Sequence, residues 1–207
     1  MLWYLFRLRK EIKMTNVFRR DLNDPMGPVP QMIKEKFIEV SELELTDKAA
    51  WHAYEEAYPF LLEKFVGKKC NICEVGTCHG GGMKILSDIF PESTIYGVDQ
   101  TFDTLKIEQD SLPNAVWIQS DQCDPALADK LPKLDFVTED ASHQLPLSLK
   151  TFEILEPLLN PGGVYVIEDV YPEFLDYYMS DPRFDIYDLR DIKDRGDDVL
   201  AVYTKPE

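Results

Sequence analysis

The run Ile72-Cys73-Glu74-Val75-Gly76-Thr77-Cys78-His79-Gly80-Gly81-Gly82 constrains this chain more than any other. Its first residues read as a buried strand. Gly76 lets the backbone turn tightly against a ligand, and the glycines at 80–82 lead into a helix without a side-chain clash. A strand, glycine turn and helix in this order open a parallel α/β sheet. Ligands of such sheets sit in the crevice at the carboxyl ends of the strands.

The rest of the chain supplies the sheet. Strand-like runs at 70–75, 94–98, 115–119, 134–139 and 163–168 alternate with helical patterns at 80–90, 102–110, 125–131 and 146–159. Strands separated by crossover helices argue for a parallel sheet covered on both faces. Two further strands, 184–189 and 198–203, flank DIKDRGDD, read as a tight acidic turn. The expected fold is Rossmann-like α/β: a mostly parallel seven-stranded sheet with a C-terminal antiparallel hairpin and an N-terminal helical arm.

The boundary falls near 65. Residues 1–35 are polar and turn-rich, with DLNDPMGPVP at 21–30. From about 46, TDKAAWHAYEEAYPFLLEKF shows helical spacing, with Thr46 or Asp47 as cap. Residues 1–65 therefore read as an arm and helix packed on a domain at 66–207. MLWYLF is too short an apolar run, with its basic residues on the wrong side, for a signal peptide. Met14 leaves open a native start downstream of residues 1–13. That stretch reads as a short amphipathic helix packing on the domain or a partner.

Charge narrows the partners. The 22 basic residues against 38 acidic ones leave a formal charge of −16, which repels nucleic acid and anionic membranes. No apolar run approaches the ~20 residues of a membrane span. A small-molecule or glycan acceptor is the expected partner, with self-association left open. Cys70 and Cys73 form a CxxC, but in a strand-like run without a second ligand pair they read as small buried cysteines. Four thiols without a disulfide framework, the other two being Cys78 and Cys123, suit a reducing cytoplasm.

Cys78 stands where a dinucleotide-binding GxGxxG turn has its second glycine, and Glu74 would repel a pyrophosphate. Glu-x-Gly-x-x-x-Gly instead suits a ligand with a cationic end and no phosphates. A bare β-to-α turn is the competing reading. Asp99 ends the second strand, where a carboxylate accepts ribose hydroxyls. Ser120, Asp121 and Gln122 end the third, within reach of an adenine edge. Together with Glu74, Gly76, Thr77 and Gly80 they point to an adenosyl ligand, S-adenosylmethionine.

The fourth and fifth strands end in LDFVTEDASHQ and GGVYVIEDVY. Asp140, Glu168 and Asp169 would converge beside the same crevice, and three carboxylates there need a cation. Hard oxygen donors favour Mg²⁺. Helix capping is the alternative for the Glu-Asp pair. His143, three residues beyond Asp140, is placed to take a proton. His52 reads as a surface or packing residue, and His79 as shaping the turn.

EDASHQ followed by LLNPGGVYVIEDVY resembles the metal-dependent sugar O-methyltransferases of macrolide biosynthesis, of mycinamicin and demethylmacrocin type, and the related cephalosporin-hydroxylase-like group. The resemblance runs from about Phe65 to Tyr171. It implies a class I methyltransferase fold and a magnesium site at Asp140, Glu168 and Asp169. It also implies a general base at His143 and cofactor contacts at Glu74, Gly76, Asp99, Asp121 and Gln122. The chain departs from the family at Ala141, where glycine is usual, and at Val170-Tyr171-Pro172-Glu173, which replaces a His-Thr-Ser pattern. The function implied is methyl transfer to a sugar hydroxyl. A catechol or phenol acceptor and a non-catalytic adenosyl-binding module are the rivals.

Overall fold

The computed structural model describes residues 16–19, 22 and 25–207. The stretch read as an amphipathic helix at 1–13 lies outside the described residues. In chain order the elements are strand β1 (Val17–Phe18), helices α1 (Pro28–Glu42) and α2 (Tyr58–Leu62), β2 (Asn71–Val75) and α3 (Gly81–Ile89). Strands β3 (Thr94–Asp99), β4 (Ala115–Gln119) and β5 (Leu134–Glu139) follow, then α4 (Leu145–Leu155), β6 (Leu159–Ile167) and α5 (Pro172–Ser180). The chain ends with β7 (Phe184–Asp188), α6 (Arg190–Lys193) and β8 (Val199–Thr204).

Among the described residues the sheet has eight strands in the order β1-β7-β8-β6-β5-β2-β3-β4. Only β8 runs antiparallel to its neighbours β6 and β7. The expected mostly parallel sheet with a terminal hairpin is therefore present. It gains an edge strand, because Val17 and Phe18 pair in parallel with Ile186 and Tyr187. Two residues carry too little pattern to read as a strand.

Alternation along the central strands fills two layers. Ile72, Phe136, Val164 and Val166 face a cluster shared with α1, α2 and α3, with Ile33, Phe37, Tyr58, Met83 and Leu86 among its members. Cys73, Val75, Val137, Tyr165 and Ile167 face the opposite cluster, with Phe152 and Tyr178. Cys70 joins the first layer and Cys73 the second, so the CxxC thiols point to opposite faces and share no ion.

The main departures lie in the helices. The N-terminal helix forms at Pro28–Glu42, where Ile33, Phe37 and Val40 make the buried stripe, in a stretch read largely as a polar arm. The segment from 46 is no continuous helix. The Asp47 carbonyl accepts from the Ala50, Trp51 and His52 amides. A 3-10 turn then covers Tyr54–Glu56, and the five-residue α2 follows. Pro59 has no N–H to donate and crowds the preceding turn, which breaks the run. The expected helix at 102–110 is also missing. Thr101 Oγ1 accepts from the Asp103 amide and Thr104 Oγ1 donates to the Cys78 carbonyl, local bonds that compete with helix. Only Gln109–Ser111 makes a 3-10 turn there, and 125–131 likewise tightens into a 3-10 helix at Pro125–Lys130. The DIKDRGDD turn contains the short α6.

Candidate active site

Strands β2, β3 and β4 follow one another to one side, while β5 and β6 lie on the other, so the order reverses between β2 and β5. Crevices in open α/β sheets form at that switch. Gly76 leaves β2 with φ +90°, and a Cβ on it would lie 2.2 Å from the Asp140 carbonyl oxygen beyond β5. The turn thus closes on the acidic loop. At the start of α3, a Cβ on Gly82 would lie 1.8 Å from Glu74 Oε1.

Two cavities meet at Gly76, Cys78 and Asp140. One, of about 370 Å³, is lined by Asp99, Gln100, Thr101, Ser120, Gln122 and Ala141. Asp99 Oδ2 accepts from the Thr77 amide at 2.8 Å, the Thr77 hydroxyl at 3.2 Å and the Cys78 amide at 3.2 Å. The second strand's carboxylate therefore pins the glycine turn. Ser120 accepts from Lys130, and the Gln122 amide donates inward to Glu139 and Thr151. Asp121 is exposed, bonded to Gln100 and the Cys123 amide, and lines neither cavity. Gly80, the residue before α3, also lies outside both.

The second cavity, about 540 Å³, is lined by Glu74, Thr77, His79 and Gly82 on the turn side. Thr46, Asp47, Lys48 and Trp51 line it from the N-terminal segment. Glu74 is buried, with Oε1 3.9 Å from Lys48 Nζ and no partner for Oε2 among the described residues. Burial, opposed by Lys48, pushes its carboxyl up to about 8.

The carboxylates divide into two sets. Asp140 Oδ1 lies 3.8 Å from His143 Nε2, and Asp169 Oδ2 lies 3.7 Å from the same nitrogen. Ligand atoms of Asp140, His143 and Asp169 all fall within 4.8 Å of one another, a grouping that can hold a metal ion. Glu168 turns away from it. Its Oε1 accepts from the Tyr58 and Thr138 hydroxyls and its Oε2 from Lys48. Lys48 also donates to Asp140 Oδ2 at 2.7 Å. Burial opposes the Lys48 charge, but Asp140 and Glu168 outweigh it and hold the ammonium well above its usual range. Burial raises the Asp140 and Asp169 carboxyls, against Lys48 at the first and His52 at the second.

The N-terminal segment thus supplies partners that the sequence reading did not assign. Tyr54 donates to Asp169 Oδ1 and accepts from the Asp169 amide. His52 is buried, with Nδ1 2.7 Å from Asp198 Oδ1 and 3.5 Å from Asp169 Oδ1. The one signal in sequence was polar side chains recurring within an apolar, aromatic run, Lys48 to Tyr58. Backbone strain gathers at the same place. Cys78, His143 and Asp169 take left-handed φ of 42°, 54° and 52°. Ala141 is not among the left-handed residues.

The strand order and the crevice define the Rossmann-like fold of class I methyltransferases. A mycinamycin-pathway methyltransferase solved with Mg, SAH and mycinamycin VI superposes with a TM-score of 0.62 at 19 % identity, over 86 % of this chain and 55 % of that one. The chain is 30 % identical over 164 residues to a tetracenomycin rhamnosyl 2'-O-methyltransferase of Streptomyces olivaceus, over 72 % of this chain and 42 % of the relative. It is 32 % identical over 103 residues to mycinamicin VI 2''-O-methyltransferase of Micromonospora griseorubida, over 46 % and 24 %. These names bear out the sugar O-methyltransferase resemblance. The chain spans under half the length of these curated relatives. No protein-family profile matches it. Among the described residues no helix is long and apolar enough to cross a membrane.

Proposed function

We propose that this chain transfers the methyl group of S-adenosylmethionine to a sugar hydroxyl of a small glycoside or glycan, assisted by a divalent cation such as Mg²⁺. The observation that carries this is the junction at Asp140, where a nucleoside-sized cavity meets a cluster of two carboxylates and an imidazole. Asp99, Ser120 and Gln122 would hold the adenosine, with Asp121 setting their loop. Glu74 and the turn from Gly76 and Thr77 to Gly80 would face the methionine end.

The donor set fits a cation: Asp140 Oδ1 and Asp169 Oδ2 lie 3.8 and 3.7 Å from His143 Nε2, and the ligand atoms of these three residues group within 4.8 Å. Glu168 would be the third oxygen ligand once released from Lys48. The ion, when bound, supplies positive charge that makes an acceptor hydroxyl more acidic. His143 Nε2 would take the hydroxyl proton as the oxygen attacks the methyl carbon in line with the sulfonium. Alignment of donor and acceptor supplies a large share of the rate. In this reading 66–207 is the catalytic unit, 1–65 an arm that completes its site, and the surroundings a reducing cytoplasm. The acidic surface disfavours nucleic acid and anionic membranes as partners.

One observation favours a second acceptor class. Tyr171 lies 6.1 Å from the His143 ring and 6.3 Å from Phe174, a wall that suits a flat catechol or other phenol. Methyl transfer to rhamnosides and to catechols, with and without EDTA, separates the readings. Sugar methylation lost in EDTA, and lost in Asp140→Ala while SAH binding persists by calorimetry, is the expected result. SAH binding without transfer to any acceptor would point to a binding module. No SAH binding would end the proposal.

A further inference from the structure

The buried ammonium of Lys48 lies between Asp140 and Glu168, two of the three carboxylates expected to hold a metal ion. Its Nζ donates to Asp140 Oδ2 and Glu168 Oε2 and lies 3.9 Å from Glu74 Oε1. Glu168 is thereby saturated, since its other oxygen accepts from Tyr58 and Thr138. Converging carboxylates require a cation, and the chain carries one of its own in Lys48.

We propose that Lys48 is a built-in counter-cation that competes with a divalent metal ion for Asp140 and Glu168. This inference rests on the metal-assisted reading above. A divalent ion that takes all three carboxylates must take Glu168 Oε2 from Lys48, and two cations cannot share that oxygen without repulsion. The metal-free site therefore keeps a cation between Asp140 and Glu168. The ion enters only by displacing the ammonium toward the second cavity, which Lys48 lines. A site of this kind binds metal more weakly than its three carboxylates alone would. Lys48 is a positioning residue here, acting through Glu168 and Asp140 rather than on an acceptor.

Mn²⁺ alone is the probe, titrated into the full chain and followed by electron paramagnetic resonance or calorimetry. Lys48→Met should bind Mn²⁺ roughly tenfold tighter or more, because the competitor is gone and the ligands remain. Reductive methylation of the unmodified protein, read by mass spectrometry, supplies a second arm that needs no folded variant. Lys48 should resist labelling without Mn²⁺ and become reactive at saturation. Equal or weaker Mn²⁺ affinity in folded Lys48→Met overturns the proposal. So does protection of Lys48 at saturating Mn²⁺, or no Mn²⁺ binding by either protein. Mn²⁺ binding by Lys48→Met alone supports it. SAH calorimetry on the same samples reads the nucleoside cavity, which Lys48 itself does not line, so retained SAH binding beside a failed Mn²⁺ result leaves the methyltransferase reading standing.

Discussion

The nucleoside cavity is walled by loops that each leave a strand directly, at Gly76, Asp99 and Ser120, and its hydrogen bonds join neighbouring turns. Asp140, Glu168 and Asp169 are also strand-end residues, yet their charge partners come from elsewhere. Lys48 reaches Asp140 and Glu168 across 92 and 120 residues, Tyr54 reaches Asp169 across 115, and Tyr58 reaches Glu168 across 110. One half of the crevice is thus assembled by the sheet itself. The other is completed only when the N-terminal segment folds over it. Cofactor affinity and chemistry should accordingly respond to different mutations.

The largest effect tests the chemical half. His143→Ala should lower kcat by about 10²–10⁴-fold while SAH affinity stays unchanged. A variant as fast as the parent would remove His143 from the chemistry. Next comes His52→Ala, which leaves Asp198, fully buried, without its imidazole partner. A loss of about 3–5 kcal/mol in urea denaturation is expected. An unchanged midpoint would show that the N-terminal segment is not tied to the site. On the nucleoside side, Asp99→Asn weakens charge-assisted bonds to the turn amides and should cost about 1.5–3 kcal/mol, read as a roughly ten- to hundredfold rise in cofactor Kd. Loss of kcat at saturating cofactor would blur the contrast.

The smallest effect lies outside both halves. Arg190, bonded to Asp188 at 2.8 and 2.9 Å, holds that carboxyl below its usual range. A depressed carboxyl stabilises the fold above its unfolded-state value and loses that contribution as pH falls through the folded-state value. Asp188→Asn should therefore lower Tm modestly near neutral pH, by about 1 kcal/mol or less in stability. In strong acid the two proteins should melt alike. A penalty that persisted in acid would contradict the ion pair.

The sheet was legible because its signals are local. Each central strand is a short apolar run, and the glycine turn marks where the crevice begins. Asp99 and Ser120 could be placed on the same grounds, as strand-end residues. Two things were not legible. Helix continuity at 46–65 and 102–110 depended on Pro59 and on side chains of Thr101 and Thr104 that bond the backbone instead of solvent. The sorting of carboxylates depended on Lys48, whose role exists only after long-range packing. Sequence proximity put Glu168 beside Asp169, yet adjacent residues leaving a strand point apart. One met Lys48 and Tyr58, the other His143.

The left-handed backbone at Cys78, His143 and Asp169 has an evolutionary consequence. Glycine would occupy each of these positions with less conformational strain, and so would tend to raise stability there. At Asp169 and His143 it would also delete a group facing the cluster. Selection for a firmer fold and selection for chemistry therefore pull in opposite directions at the same residues. Stabilising changes in this chain should accumulate elsewhere, on the outer helices and the hairpin, before they reach the crevice.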